Sequence, residues 1–153
     1  LKALLKYLRK LIAHKWFVFL ECVKVGLPWA GVVHDLSKFS PLEIRAYTSK
    51  FAKPRDQATP EDEALFRRGW LHHQHKNKHH WIYWIVYAPI PGEDWSPEWG
   101  CVPMPDRYRR EMLADFRAMG RQYGNTARAW YERNRDKLLL HPETRAWLEG
   151  ALR

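Results

Sequence analysis

Apolar residues in the first twenty-five positions recur at helical spacing. Leu1, Leu4, Leu5, Leu8, Leu11 and Ile12 share one face of a 3.6-residue period, which predicts a helix from Leu1 to about Val25. Gly26 ends it, and Pro28 suits the first turn of a short second helix, PWAGVVHDL. Ser40, Pro41 and Glu43 then form a capping box that opens a third helix. Thr59, Pro60 and Asp62 repeat much of that arrangement for a fourth, which runs towards Asn77, with AKPRDQA as the loop between. Pro105 opens a helix through Gly120, Thr126 begins one that reaches about Leu138, and Pro142 opens the last.

The helical pattern fails in one place. HHWIYWIVY reads as a helix turn or a strand, and the following YAPIPGEDWSPEWGCVPMP carries five prolines and two glycines. That density predicts a lid or a small hairpin with VYAP facing CVPM. The chain is therefore expected to form one all-α domain over residues 1–153, with at most a hairpin near 86–103. No internal repeat or low-complexity tract interrupts it.

Charge narrows the partners. Twenty-six Lys and Arg against seventeen Asp and Glu leave a formal net charge of +9, which favours a nucleotide, nucleic acid or phosphorylated metabolite. The basic residues are dispersed, so a solvated basic surface is the simpler reading of the charge alone. Nine Trp serve as core filler or as pocket walls. Cys22 and Cys101 form no CxxC pair, which points away from a disulfide framework and towards a reducing cytoplasm. Lysine and arginine interrupt the apolar N-terminal stretch, so no window approaches the ~20 apolar residues of a membrane span.

The strongest chemical signal is GVVHDLSKF. His34 and Asp35 offer a metal one neutral nitrogen and one anionic oxygen from the same helix end. As a dipeptide the pair is common. Following the apolar AGVV run, however, two polar side chains are costly unless satisfied. The segment resembles the signature of the HD-domain superfamily, with Lys38 at the position of its basic residue. That superfamily's pattern is a His, then His-Asp, then a distant Asp from another helix. His14 is the histidine on the preceding helix, on a line of Tyr7, Leu11, Val18 and Val25 broken by Glu21. A lone histidine on such a line is more often a hydrogen-bonded core residue. The resemblance favours a ligand.

Geometry selects the distant carboxylate. Tyr108, Met112, Phe116, Met119 and Tyr123 form an apolar stripe on the helix after Pro105. Asp115 falls roughly 20° from the direction of Tyr108 at 100° per residue. A carboxylate on a buried stripe must be paired, protonated or metal-bound. Glu111 lies one turn earlier at the stripe's edge, and Asp106 sits where it merely complements the helix dipole.

A second cluster, WLHHQHKNKHHW, places five histidines between His72 and His80. On a continuous helix His72, His75 and His79 share one face, and His73 and His80 another. Histidines solvated beside lysines are the plain reading for His73 and His75. HDLSKFSPLEIRAY, FRRGWLHHQHKNKHHWIYW, MPDRYRREMLADFRAMG and LHPETRAWLE together resemble the DUF5662 type, a family of uncharacterised bacterial and phage proteins regarded as HD-like.

The resemblance implies a divalent metal (manganese, iron, cobalt, magnesium or zinc), one or two per chain. His14, His34, Asp35 and Asp115 would hold the first, and His72, His79 and His80 would hold a second or contact phosphate. Asp35 and Lys38 are the expected catalytic residues of a phosphohydrolase. Lys38, Trp95 and Trp99 are expected to contact a nucleotide or other small phosphate ester. Two other readings remain: a di-iron oxygenase, and a basic nucleic-acid-binding module with a structural metal.

Overall fold

The computed structural model describes residues 1–89 and 97–153. The described residues contain seven α-helices, four short 3-10 helices and one two-stranded antiparallel sheet, in agreement with an all-α fold carrying a small hairpin. The helices are α1 (Lys2–Lys24), α2 (Pro28–Val33), α3 (Pro41–Ala52), α4 (Pro60–Lys76), α5 (Asp106–Tyr123), α6 (Ala127–Asn134) and α7 (Pro142–Ala151). Among these residues no helix is long and apolar enough to cross a membrane.

Helix α1 is the central element, and its buried face differs from the one expected. Tyr7, Leu11, His14, Val18, Glu21 and Cys22 are buried, whereas Leu1, Leu5 and Ile12 are exposed. Leu4 and Leu8 pack at the edge of the buried face, which is turned towards α2, α3 and α5. Glu21 is buried because Lys24 and Arg121 reach its Oε1 at 2.7 and 2.9 Å.

Three apolar groups surround the centre of the protein. Val18 and Cys22 meet Ala114 and Ala118 between α1 and α5. Tyr7 and Leu11 meet Tyr47 of α3. Met104, Met112, Leu113, Tyr131, Leu138, Leu140 and Leu148 join α5 to α6 and α7. The stripe expected on α5 is thereby split. Met112 is buried, but Met119 and Tyr123 are exposed, and the face towards α1 is made by Ala114 and Ala118.

Caps work largely as read. Thr59 and Asp62 make both hydrogen bonds of a capping box. Ser40 accepts from Glu43 N at 3.3 Å, but the Glu43 side chain leaves the cap for the interior. The hairpin pairs β1 (Ile85–Pro89) with β2 (Pro97–Cys101), with Val86 opposite Gly100 and Tyr87 opposite Trp99. VYAP thus faces PEWG rather than CVPM. Met104 N instead donates to Thr144 Oγ1 at 2.9 Å, tying that segment to α7.

Candidate metal centre

The His34–Asp35 corner is shaped by close packing. A Cβ on Gly31 would stand 2.8 Å from Phe19 Cα and 2.9 Å from Cys22 Cβ, so only glycine lets α2 lie this close to α1. Lys15 of α1 donates to the carbonyls of Val32 and His34, satisfying the end of α2. The helix stops at Val33, short of the expected Leu36, and Asp35 turns the chain with φ +55°. Among described residues it is the one non-glycine with positive φ. Such a conformation costs roughly 1–2 kcal/mol and persists where the surroundings enforce it.

The turn points the two carboxylate oxygens of Asp35 to different partners. Oδ2 lies 3.4 Å from His34 Nε2 and 3.7 Å from His14 Nε2. Asp115 Oδ1 lies 3.2 Å from His14 Nε2 and 3.9 Å from His34 Nε2. Oδ1 of Asp35 lies 3.4 Å from both His73 Nε2 and His79 Nε2. His80 Nε2 sits 2.8 Å from His73 Nε2.

Three of these imidazoles are oriented by carboxylates. His34 donates from Nδ1 to Glu111 Oε1 at 3.0 Å, and His79 Nδ1 lies 3.3 Å from the same oxygen. His73 Nδ1 lies 3.0 Å from Glu43 Oε2, while His72 Nδ1 lies 2.7 Å from Glu43 Oε1. An ionised carboxylate only accepts, so Nδ1 carries the proton and Nε2 presents a lone pair to the centre. Carboxylate-backed histidines of this kind are the usual surroundings of bound metals. Sequence reasoning read Glu43 as a cap and Glu111 as an edge residue. The signal available was spacing: Glu111 and Asp115 are four apart, and so share a helix face.

Electrostatics favour ionised carboxylates and neutral His34 and His80. Burial pushes the Asp35 carboxyl up, but His34, Lys38, His73 and His79 outweigh it and hold it well below the usual range. His14, His34 and His79 do the same for Asp115. Against burial, His34 and His79 bring Glu111 down to about 2. Burial lowers His34 despite Asp35. Burial and the neighbouring His79 and His73 lower His80 further. His79 moves the other way, because Glu111, Asp35 and Asp115 outweigh its burial.

The residues fit a metal by an independent observation. His34 Nε2, His79 Nε2, Asp35 Oδ1 and Asp115 Oδ1 are buried and without a hydrogen-bond partner. Leaving each so costs about 1–3 kcal/mol. Donor atoms about 2.1 Å from a common ion lie about 3.0–3.4 Å apart, close to the separations observed. Asp35, His73, His79 and His80 offer one set of donors, His14, His34 and Asp35 a second, and His34, His79 and Asp115 a third. Buried histidine and aspartate groups here could hold a metal ion.

The structure brings together His14, His34, Asp35, Asp115, His79 and His80, and it exchanges His72 for His73. Helix α4 ends at Lys76, with Asn77 as its cap. His79 and His80 therefore return through a turn instead of continuing a helical face. His73 is fully buried, contrary to the solvated reading, and His72 faces Glu43 at the edge. His75 is exposed. A Cβ on Gly69 would meet Ala46 Cβ at 2.4 Å, which shows how closely α3 and α4 approach to bring His73 over Glu43. Lys38 Nζ lies 2.8 Å from Asp35 Oδ2. Trp99 lies in β2, and Trp95, with the centre of the expected lid, falls outside the described residues.

Two cavities reach the cluster. One of about 600 Å³ is lined by His14 and Lys38 together with Lys10, Tyr47 and Lys50. The other, of about 420 Å³, is lined by His79, His80 and Asp115 with Trp81 and Trp130. They share Trp70, Met119 and Tyr123. No curated protein and no solved structure matches the chain. Residues 3–153 match a family of unknown function (DUF5662), and the chain belongs to that family.

Proposed function

We propose that the protein is a metal-dependent phosphohydrolase of the HD type, acting on a nucleotide or other small phosphate ester. The observation that supports it best is the set of carboxylate-backed imidazoles, His34, His73 and His79, whose Nε2 atoms converge on Asp35, those of His34 and His79 without a hydrogen-bond partner. His14, His34, Asp35 and Asp115 would hold one divalent ion; Asp35, His73, His79 and His80 would hold another. Bound there, the ions supply a water that ionises near neutrality and a Lewis acid for a phosphoryl oxygen.

The chain's own residues complete the chemistry. Glu111 keeps His34 and His79 in one tautomer, and Glu43 does so for His73. Lys38 stands between Asp35 and the larger cavity, where its ammonium can stabilise charge developing on phosphate oxygens. Burial of His34, Asp35, His73 and His79 keeps these groups from bulk water, which strengthens their electrostatic contacts.

The test is metal analysis of protein purified without chelator, followed by a panel of nucleotides and simple phosphate esters assayed for released phosphate. Hydrolysis that needs the metal and disappears in Asp35→Ala is the expected result. Turnover only with oxygen and iron would replace hydrolysis by oxygenase chemistry. Absence of turnover with any metal would remove the enzymatic reading.

A further inference from the structure

Three lysines line the larger cavity, Lys10, Lys38 and Lys50, and no carboxylate does. Lys38 is paired with Asp35. Among the described residues Lys10 and Lys50 have no ion pair. Lys10 Nζ stands 5.4 Å from the ring centre of Phe51 and 5.2 Å from that of Tyr123. Lys50 Nζ stands 3.7 Å from that of Phe66. A ring face holds an ammonium in place without neutralising it. Lys53, on the same helix border, instead reaches Asp62 at 2.6 Å.

A second observation points to a ligand in this cavity. Tyr47 lines it at 9% exposure, and its hydroxyl has no hydrogen-bond partner. The neighbouring Tyr7 hydroxyl, by contrast, donates to Lys38 O at 2.8 Å. Its ring is stacked on Tyr7 with centroids 5.5 Å apart, and Lys50 lies one turn along on α3. A desolvated phenol donor in the same cavity as two unneutralised ammoniums makes a binding place for an anion. His14 and Lys38 form the border between this place and the cluster.

We infer that Lys10, Lys50 and the Tyr47 hydroxyl bind a second anionic group of the substrate, separate from the phosphate that reacts at the histidine–aspartate cluster. The inference rests on the hydrolase reading for the reacting end only. The substrate class becomes a compound with two anionic groups, such as an organic diphosphate or a phosphate ester that also carries a carboxylate. An ester with a single anionic group would leave Lys10 and Lys50 unused.

The experiment is calorimetric titration of the metal-loaded protein with alkane-α,ω-diphosphonates of two to six carbons, against n-alkylphosphonates of equal length. The best diphosphonate is expected to bind at least tenfold tighter than its monophosphonate counterpart. Lys10→Gln and Lys50→Gln should each erase most of that advantage, and Tyr47→Phe should reduce it severalfold. Affinity for the monophosphonate and metal content should stay unchanged in all three. No advantage for the diphosphonate, or an advantage that survives both lysine changes, overturns the inference. If the protein takes up no metal, the hydrolase reading fails by itself. Inorganic phosphate titrated into metal-free protein then decides the subsite: binding lost in Lys10→Gln and Lys50→Gln retains it, and binding indifferent to both removes it.

Discussion

Around Oδ2 of Asp35, His14, His34 and Asp115 come from separate segments between positions 14 and 115. Around Oδ1, the imidazoles of His73, His79 and His80 come from one short stretch at the end of α4. The first side exists only because α1, α2 and α5 pack closely, through Gly31 and through Ala114 and Ala118 against Val18 and Cys22. The second side is local in sequence, yet the choice among its histidines is made by Glu43 and by the turn at Asn77. Asp35 joins the sides, and Glu111 couples them by holding one imidazole of each. A site can therefore be long-range in its ligands or long-range in what orients them.

Asp35→Ala should have the largest effect, because it removes an oxygen donor from each side. Metal content should fall to background and activity by more than about a hundredfold, roughly 2.7 kcal/mol of transition-state stabilisation. Far-ultraviolet circular dichroism should remain helical. Retained metal on either side would break the picture of Asp35 as the shared ligand.

Glu111→Gln should follow. It removes the anion behind His34 and His79, and about 10–100-fold in metal affinity is expected. Competition with a chelator measures it. Since the folded Glu111 carboxyl is brought down to about 2, its ionisation stabilises the native state above pH 4.5. That contribution is lost as pH falls through 4.5 towards about 2. Acid unfolding of metal-free protein should therefore flatten over this window in Glu111→Gln. An unchanged acid profile would make Glu111 a bystander.

Glu43→Gln sharpens the comparison, because it touches one side alone. Affinity for the ion held near His73 should drop about tenfold or more, with the His14 side unaffected in a two-step metal titration. His73→Ala should copy that loss. His72→Ala should do much less, since His72 meets Glu43 and not Asp35. Equal effects of His72→Ala and His73→Ala would reopen the choice between them.

The smallest effects belong to packing and surface. Gly69→Ala puts a methyl 2.4 Å from Ala46 Cβ and should cost about 1–3 kcal/mol by thermal or denaturant unfolding. It should also weaken the His73 side more than the His14 side. His75→Ala, at an exposed position, should change neither stability nor metal binding.

Local rules sufficed for much of this protein. Helix starts follow from Ser40, Thr59 and Pro142, whose caps and fixed backbone angles depend on neighbours a few residues away. The break near 86–103 follows from its prolines, and His34–Asp35 stands out as a polar pair after an apolar run. Asp115 and His14 were legible through helical period and motif spacing. Tertiary structure decided what period cannot carry. It buried the Tyr7–Leu11–His14 line of α1, kept Leu4 and Leu8 at its edge and left Leu1, Leu5 and Ile12 exposed, because helices on several sides compete for one surface. It drew Glu43 out of its cap, since a buried imidazole needs a carboxylate more than an exposed helix end does. It selected His73 over His72, because one residue of helix rotates a side chain by about 100°, and only the α3–α4 contact sets which of the two faces Asp35.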